Sequence, residues 1–465
     1  MTRHYHLMGI GGTGMSTLAE LLKAEGETVS GCDARRSETT ERLRATGIAV
    51  AEGHDPAHLS GVDVLVVSSA IPGRHPERLE AERRGIAVQH RAEALAGLVN
   101  ARHLVAVAGA HGKTTLTGLL VHVLASAGLD PLGAIGFAMP GSPSGARWGR
   151  GEWAVVEADE SDRSFLHFEP TIGVVTNVEP DHLENYHGRF QDLIAAYRAF
   201  LDRVRPEGTW VLGTDNAILR ETAATAPEAR RLVTFALHAR ADWQASDIHL
   251  EARTARFVAL YRGKPVAEVQ LSIPGRHNVC NALAALAVAR LAGIDAPRAA
   301  SSMAGFSGAR RRFEVLADTA GVMVVDDYAH HPTEIAATLA AAKEGYGRRV
   351  VAVFQPHRYH RTASLMDDLA AAFDGADTVI LTEIYAPTPE EVIPGVGGRA
   401  LFDRLLDRPA WRDRTEHAFF CPTLDEAYRC ALSQAEPGTL ILVMGAGNVT
   451  SLAHRLAERV KARAN

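Results

Sequence analysis

The heptapeptide Gly109-Ala110-His111-Gly112-Lys113-Thr114-Thr115 follows the apolar run His103–Ala108 and opens a helix-like stretch. Backbone N–H groups at such a turn can cradle phosphates. A lysine there can offset charge on the terminal phosphoryl oxygens, and a threonine hydroxyl can hold magnesium. The spacing is shorter than G-x-x-x-x-G-K-[ST], because Val107 stands where the first glycine would be. A glycine turn with a solvated lysine is the plainer reading. However, Lys23, Lys113, Lys264, Lys343 and Lys461 are the only lysines in a chain rich in arginine. The placement of Lys113 is therefore hard to treat as background, and it is expected to serve phosphoryl transfer rather than folding.

Magnesium-dependent phosphoryl transfer also needs carboxylates at the end of a neighbouring strand. The apolar run Trp153–Val156 ends in Glu157-Ala158-Asp159-Glu160-Ser161-Asp162, with Glu157 the best-placed ligand. Beside Thr114 this cluster reads as a metal site, where alone it would read as a solvated loop. A third strand-to-loop transition, Thr176-Asn177-Val178-Glu179-Pro180-Asp181-His182, offers His182 as a ligand to a second ion.

Near the start of the chain, Gly9-Ile10-Gly11-Gly12-Thr13-Gly14 follows one strand-like run, and Asp33 ends the next. Glycines in this context allow a tight turn and close approach of a diphosphate to a helix N-terminus, with Asp33 where a ribose-binding carboxylate stands. The motif specifies neither the nucleotide nor the reaction. Two more polar clusters follow strands late in the chain, Asp326-Asp327-Tyr328-Ala329-His330-His331-Pro332 and Gln355-Pro356-His357-Arg358-Tyr359-His360-Arg361. Their histidine pairs lack a helical H-E-x-x-H and a cysteine partner, so catalytic zinc is not expected there. Arginines beside strand ends suit bidentate binding of carboxylate or phosphate.

The elements that must position these residues alternate between apolar strand-like runs and helical patterns, which argues for parallel, doubly wound sheets. Strands are expected at Tyr5–Ile10, Thr28–Cys32, Val62–Ser68, His103–Ala108, Trp153–Glu157, Ile172–Thr176 and Thr209–Leu212. Extended structure is expected over Asp247–Val269, and further strands at Val322–Asp326, Val350–Phe354, Thr378–Leu381 and Leu440–Met444. Helices are expected at Met15–Glu25, Thr115–Ala127, Phe190–Val204 and Asn278–Ala292. The chain divides into three α/β domains, 1–98, 99–311 and 312–465. The first and third read as Rossmann-like, and the central one as P-loop ATPase-like on a parallel sheet.

Composition fits this reading. A chain of 465 residues, 46% apolar and 22% charged, can bury a core in each of three domains. A net charge of −6 spread along the chain gives no footprint for nucleic acid. No apolar stretch reaches membrane-spanning length and Met1 leads directly into a strand, so no membrane partner and a cytoplasmic location are expected. Cys32, Cys280, Cys421 and Cys430 are far apart. They fit reduced thiols better than a disulfide framework or a zinc site.

Together these motifs resemble the Mur ligase family. The likeness runs from Gly9–Ser16 through Glu157–Asp162, Gly275-Arg276-His277-Asn278, Arg311-Arg312-Phe313, Asp327–Glu334 and Gln355–Arg358 to Gly445-Ala446-Gly447-Asn448. It implies a three-domain enzyme that uses ATP and magnesium, with two ions, to join L-alanine to the carboxylate of UDP-N-acetylmuramate through an acyl phosphate. Gly9, Gly11, Gly12, Gly14, Ser16, Asp33 and Ser69 would hold the UDP-sugar. ATP would meet residues 109–115 (Gly109, Ala110, His111, Gly112, Lys113, Thr114 and Thr115) together with Asn278, Arg312 and Asp327. The metals would sit on Thr114, Glu157 and His182. Tyr328, His330, His357, Arg358 and Arg361 would surround the amino acid, and Lys113, His182, His330 and Arg358 would carry the chemistry.

A monomer or weak homodimer is expected. Two departures stand out: Ala110 replaces the more usual threonine, and no lysine lies between Asp181 and Leu201 to carry the carbamate found in many relatives. The alternatives are a ligase that attaches a whole tripeptide, a nicotinamide-dependent oxidoreductase using Gly9–Gly14 and Asp33, and a nucleotide-sensing protein without catalysis. The oxidoreductase leaves Lys113, Glu157 and His182 without a role.

Overall fold

The computed structural model describes residues 2–138, 144–387 and 391–464. Its framework is three sheets. In the first, five strands run parallel in the order Ala49–Glu52, Thr28–Asp33, His4–Met8, Val64–Val67, Ala87–His90. Sequence order reverses beside His4–Met8, so the loop that follows it lies at a switch point, where open parallel sheets bind ligands. Helix Thr13–Ala24 rises from that loop and buries Met15, Leu18, Leu21 and Leu22. Each such side chain stabilises the packing by roughly 1.5–3 kcal/mol.

The second sheet has ten strands, with His103–Ala108 between Ile172–Val175 and Trp153–Glu157, all parallel. A central strand of a parallel sheet is covered on both faces, which is why HLVAVA reads as a continuous apolar run. The parallel pairing brings the loops after these three strands to one sheet edge. The third sheet has the order Glu314–Thr319, Val322–Asp327, Thr439–Met444, Arg349–Phe354, Thr378–Leu381, Ala418–Phe420. Only Glu314–Thr319 runs antiparallel to its neighbour.

The expected strands and long helices form, with ends shifted by a residue or two. The extended stretch 247–269 resolves into strands Trp243–Glu251, Thr254–Tyr261 and Lys264–Leu271. The chain packs as two compact units. One is Met1–Ala245, Ala259–Ala267 and Cys280–Met303, and the other is Ser246–Val258, Glu268–Val279 and Ala304–Asn465. In the first unit one apolar cluster runs from Leu7 and Leu18 through Leu95 and Val99 to Leu104, Val156 and Phe200, and a smaller one gathers Met8, Cys32, Leu59 and Leu65. In the second, the third sheet is covered on both faces, by a cluster around Phe354 and Phe373 and another around Val353 and Leu456. Among the described residues, no helix is long and apolar enough to cross a membrane.

Candidate functional site

In the first unit, the phosphate-type loop is shaped by two glycines. Gly109 sits at φ 138°, and a Cβ there would collide with Thr176 Oγ1. Gly112, at φ 85°, caps helix Lys113–Ser126. Neither conformation suits an L side chain. Asn177, which sequence reasoning did not single out, braces the turn. Its Oδ1 accepts from His111 N at 2.8 Å, its carbonyl accepts from Ala110 N at 3.2 Å, and its Nδ2 donates to His111 O at 3.1 Å. The N–H groups of Ala110 and His111 are thereby engaged. The donors with no acceptor one turn back are those of Lys113, Thr114 and Thr115 at the helix start. Asn281 borders the same turn, since a Cβ on Gly112 would lie 2.8 Å from its Oδ1.

Lys113 Nζ donates to the carbonyls of Gly109 and Ala110 and to Glu160 Oε1, the last at 2.8 Å. Burial works against the Lys113 charge, but Glu160, Asp159 and Glu157 outweigh it and raise its pKa. Glu160 is buried, and its Oε2 has no hydrogen-bond partner. Burial lifts its carboxyl above the ordinary range even against the pull of Lys113. Thr114 Oγ1 lies 3.0 and 3.1 Å from the two oxygens of Glu157, which also accepts from Gly136 N at 2.8 Å. Hydroxyl and carboxylate thus face each other at a distance a magnesium ion could bridge. His182 adopts φ 55°, with its Nε2 3.5 Å from Asp181 Oδ2. Sequence reasoning also passed over Glu160: it lay in the recognised acidic cluster, but only the folded loop pairs it with Lys113.

At the first sheet's switch point, Gly9 N and Ile10 N donate to Cys32 O at 2.8 and 3.1 Å, and Gly11 N donates to Asp33 Oδ2 at 2.9 Å. Asp33 therefore holds the glycine loop itself. Gly12 caps the following helix, and Ser16 is buried with its hydroxyl on Thr13 O at 3.0 Å. A Cβ on Gly14 would lie 2.6 Å from an Arg91 Nη1. Ser69 donates to Asp162, His90 Nε2 lies 3.1 Å from Ser69 Oγ and 3.5 Å from Asp162 Oδ2, and Arg91 lies 3.9 Å from Asp159. Burial alone would raise Asp162, but hydrogen bonds from Ser164 and Ser69 hold it below the ordinary carboxylate range. The acidic loop that faces Lys113 and Thr114 thus also contacts Ser69, His90 and Arg91 of the first sheet's domain.

In the second unit, strand ends gather the other polar clusters. Asp327 accepts from Phe313 N at 2.8 Å and Ala329 N at 2.7 Å, and burial raises it to about 6. Arg312 reaches Glu334 at 3.3 Å, and the guanidiniums of Arg311 and Arg312 lie 4.9 and 5.3 Å from the Tyr328 ring centre. His330 Nδ1 lies 2.9 Å from Tyr328 O. A carbonyl can only accept, which leaves the lone pair on Nε2 in the neutral ring. The rings of Tyr328, His330 and His357 follow one another at 5.2 and 6.2 Å, and Arg361 lies 3.2 Å from His357 Nδ1. Tyr385, also missed, stacks on His357 at 6.0 Å and accepts from Arg358 N, whose φ is 67°. Asn278, buried, donates to Pro274 O at 2.6 Å. In that conformation its amide serves the turn before helix Arg276–Leu291.

Three family models match in succession: the Mur ligase family catalytic domain over residues 4–103, the Mur ligase middle domain over 107–289, and the Mur ligase glutamate ligase domain over 311–447. A UDP-N-acetylmuramate–L-alanine ligase of Symbiobacterium thermophilum is 44% identical over 99% of this chain and 95% of its own. One from Geotalea daltonii is 42% identical over 98% of both. Among solved structures, the UDP-N-acetylmuramate–alanine ligase of Thermotoga maritima aligns over 99% of both chains, with TM-score 0.82 and 27% identity. A murein peptide ligase from Psychrobacter arcticus aligns over 98% of both, with TM-score 0.70 and 26% identity. With matches of this length from end to end, the chain belongs to the Mur ligase family.

Proposed function

We propose that this chain joins L-alanine to the carboxylate of UDP-N-acetylmuramate at the expense of ATP, an early peptide-adding step of peptidoglycan synthesis. The observation that carries the reading is the double contact of the acidic loop. Its Asp159 and Asp162 meet Arg91, His90 and Ser69 at the edge of the first sheet, while its Glu157 and Glu160 meet Thr114 and Lys113. A substrate carboxylate held at the first edge and a triphosphate held on the second loop share one wall. The names of the relatives give the substrate pair.

A carboxylate is a poor electrophile, and transfer of the γ-phosphoryl group to its oxygen, with departure of ADP, makes that oxygen part of a leaving group. The amine of alanine then adds to the carbonyl, loses a proton, and phosphate departs from the tetrahedral intermediate. Lys113 and the helix-start N–H groups offset charge on the phosphoryl oxygens. Thr114 with Glu157 would hold one magnesium ion, and His182 a second. When bound, these ions screen the repulsion between carboxylate and triphosphate. His330 Nε2 carries the lone pair that can take the amine proton, and Arg358 and Arg361 bind the alanine carboxylate. Tyr328, His330 and His357 bound the pocket for its methyl group.

Phosphate release should require ATP, magnesium, UDP-N-acetylmuramate and L-alanine together. Free tripeptide should not replace alanine, and glycine should be used roughly 10–200-fold less well, the limit for one methyl group. Rapid ATP hydrolysis by the enzyme alone, preference for a tripeptide, or substrate-dependent oxidation of a nicotinamide cofactor would each overturn the reading.

A further inference from the structure

The first sheet holds a second cluster of chemistry-bearing side chains, which the proposed ligation does not use. His6 lies in strand His4–Met8, Cys32 in strand Thr28–Asp33, His58 in the turn Pro56–Leu59, and Glu77 in the first turn of helix Pro76–Arg84. One donor atom from each lies within 4.8 Å of all the others. Cys32 and Glu77 are fully buried and His6 is 2% exposed. His6 Nδ1 meets Ser30 Oγ at 2.9 Å, while its Nε2 is buried without a hydrogen-bond partner. A buried polar atom with no partner is costly and calls for an explanation. With its Nδ1 engaged by Ser30, Nε2 is the ring nitrogen left for the cluster.

The spacing fits a small tetrahedral ion. Bonds of about 2.0 Å to nitrogen or oxygen and about 2.3 Å to sulfur put ligand atoms about 3.3–3.5 Å apart. Cys32 Sγ lies 3.4 and 3.6 Å from the Glu77 oxygens, and His58 Nδ1 lies 2.8 Å from Glu77 Oε1. The second pair would open by about half an ångström, and the remaining pairs lie within 4.8 Å, close enough for a bound ion to draw together. A thiol with two imidazoles and one carboxylate selects zinc over magnesium or calcium, which prefer all-oxygen sites.

We propose that His6, Cys32, His58 and Glu77 form a closed, structural zinc site beneath the glycine loop of the first sheet. His54 Nδ1, 3.2 Å from Cys32 Sγ and 3.1 Å from Glu77 Oε2, orients both ligands from outside. Burial and Glu77 push the Cys32 thiol pKa up, so zinc uptake releases its proton to solvent and leaves a thiolate on the ion. The consequence for the loop is direct. Cys32 O receives Gly9 N and Ile10 N, and the next residue, Asp33, receives Gly11 N. Zinc would tie that platform to His58 and Glu77. No cysteine–histidine spacing announces the site, because its ligands span residues 6 to 77 and meet only when the parallel sheet forms.

The test uses full-length protein stripped with a chelator and titrated with Co2+, a readout independent of ligase activity. One equivalent should give intense tetrahedral d–d bands and a thiolate-to-cobalt charge-transfer band, both erased by Zn2+. Cys32→Ser should abolish the charge-transfer band, Cys280→Ser should keep it, and His6→Gln should weaken Co2+ binding by about tenfold or more. Absence of the band in the parent, or its survival in Cys32→Ser, would overturn the proposal. Because the parent spectrum alone can contradict it, poor folding of a variant does not shelter it.

Discussion

Lys113 and Glu160 form a buried ion pair at the heart of the first unit's site, and that pairing alters what a lysine substitution would do. From sequence, Lys113 reads as a residue of chemistry alone. With Glu160 at 2.8 Å, removing the ammonium strands a buried carboxylate, a loss on the order of 3–5 kcal/mol unless the acid takes up a proton. Lys113→Met should therefore lower kcat by roughly two orders of magnitude or more and also lower the melting temperature. The double variant Lys113→Met, Glu160→Gln should regain most of the melting temperature and none of the kcat. A double variant as unstable as the single one would show that the pair is not the cause. In the second unit, Arg361→Ala should raise KM for alanine at least about tenfold while KM for ATP changes little, as loss of a carboxylate contact requires. Equal shifts in both constants would remove Arg361 from the amino-acid pocket. Lys113, Thr114, Glu157, His330 and Arg361 could be singled out as candidates because each belongs to a polar segment that follows an apolar strand-like run. Glu160, Asn177, Asn281 and Tyr385 were not, since their partners are distant in sequence and the pairings exist only in the fold.

Strand Val322–Asp327 shows how an element carries a candidate site residue into the core at a cost. Asp327 ends that strand and fixes Phe313 and Ala329 by their N–H groups, with its carboxyl raised to about 6 by burial. An acid whose folded pKa lies above its unfolded value favours the fold most below the unfolded pKa, and that stability is lost as pH rises through the folded one. Between about pH 4 and 6 the second unit should lose roughly 3 kcal/mol from this group. Asp327→Asn should flatten that slope, as denaturant melts across the window can establish, and an unchanged slope would assign the loss elsewhere. The strands that sequence located best, His103–Ala108, Trp153–Glu157 and Thr378–Leu381, are largely or wholly buried and read as unbroken apolar runs. Short edge strands such as Ala49–Glu52 and Ala87–His90, with no fully buried residue, give no such pattern and were missed. Asp247–Val269 read as one extended stretch although Gly263, at φ 75°, marks the second turn; the first, at Ala252 with φ 47°, has neither glycine nor proline to announce it.

Across the whole molecule, three α/β sheets were legible, since alternation of strands and helices is written in local periodicity. The sharing of one core by the first two sheets was not, because packing between sheets depends on surfaces far apart in the chain. That shared core matters for function: it fixes the edge holding Ser69, His90 and Arg91 against the loop holding Glu157 and Glu160. In the proposed function, such a wall would serve activation of a substrate carboxylate by phosphoryl transfer. The most direct measurement places oxygen-18 in the carboxylate of UDP-N-acetylmuramate and follows it by mass spectrometry during a single turnover with ATP, magnesium and L-alanine. One labelled oxygen should pass into the released inorganic phosphate and the other should stay in the new amide. Unlabelled phosphate together with normal amide formation would contradict the acyl-phosphate route on which the proposed function rests.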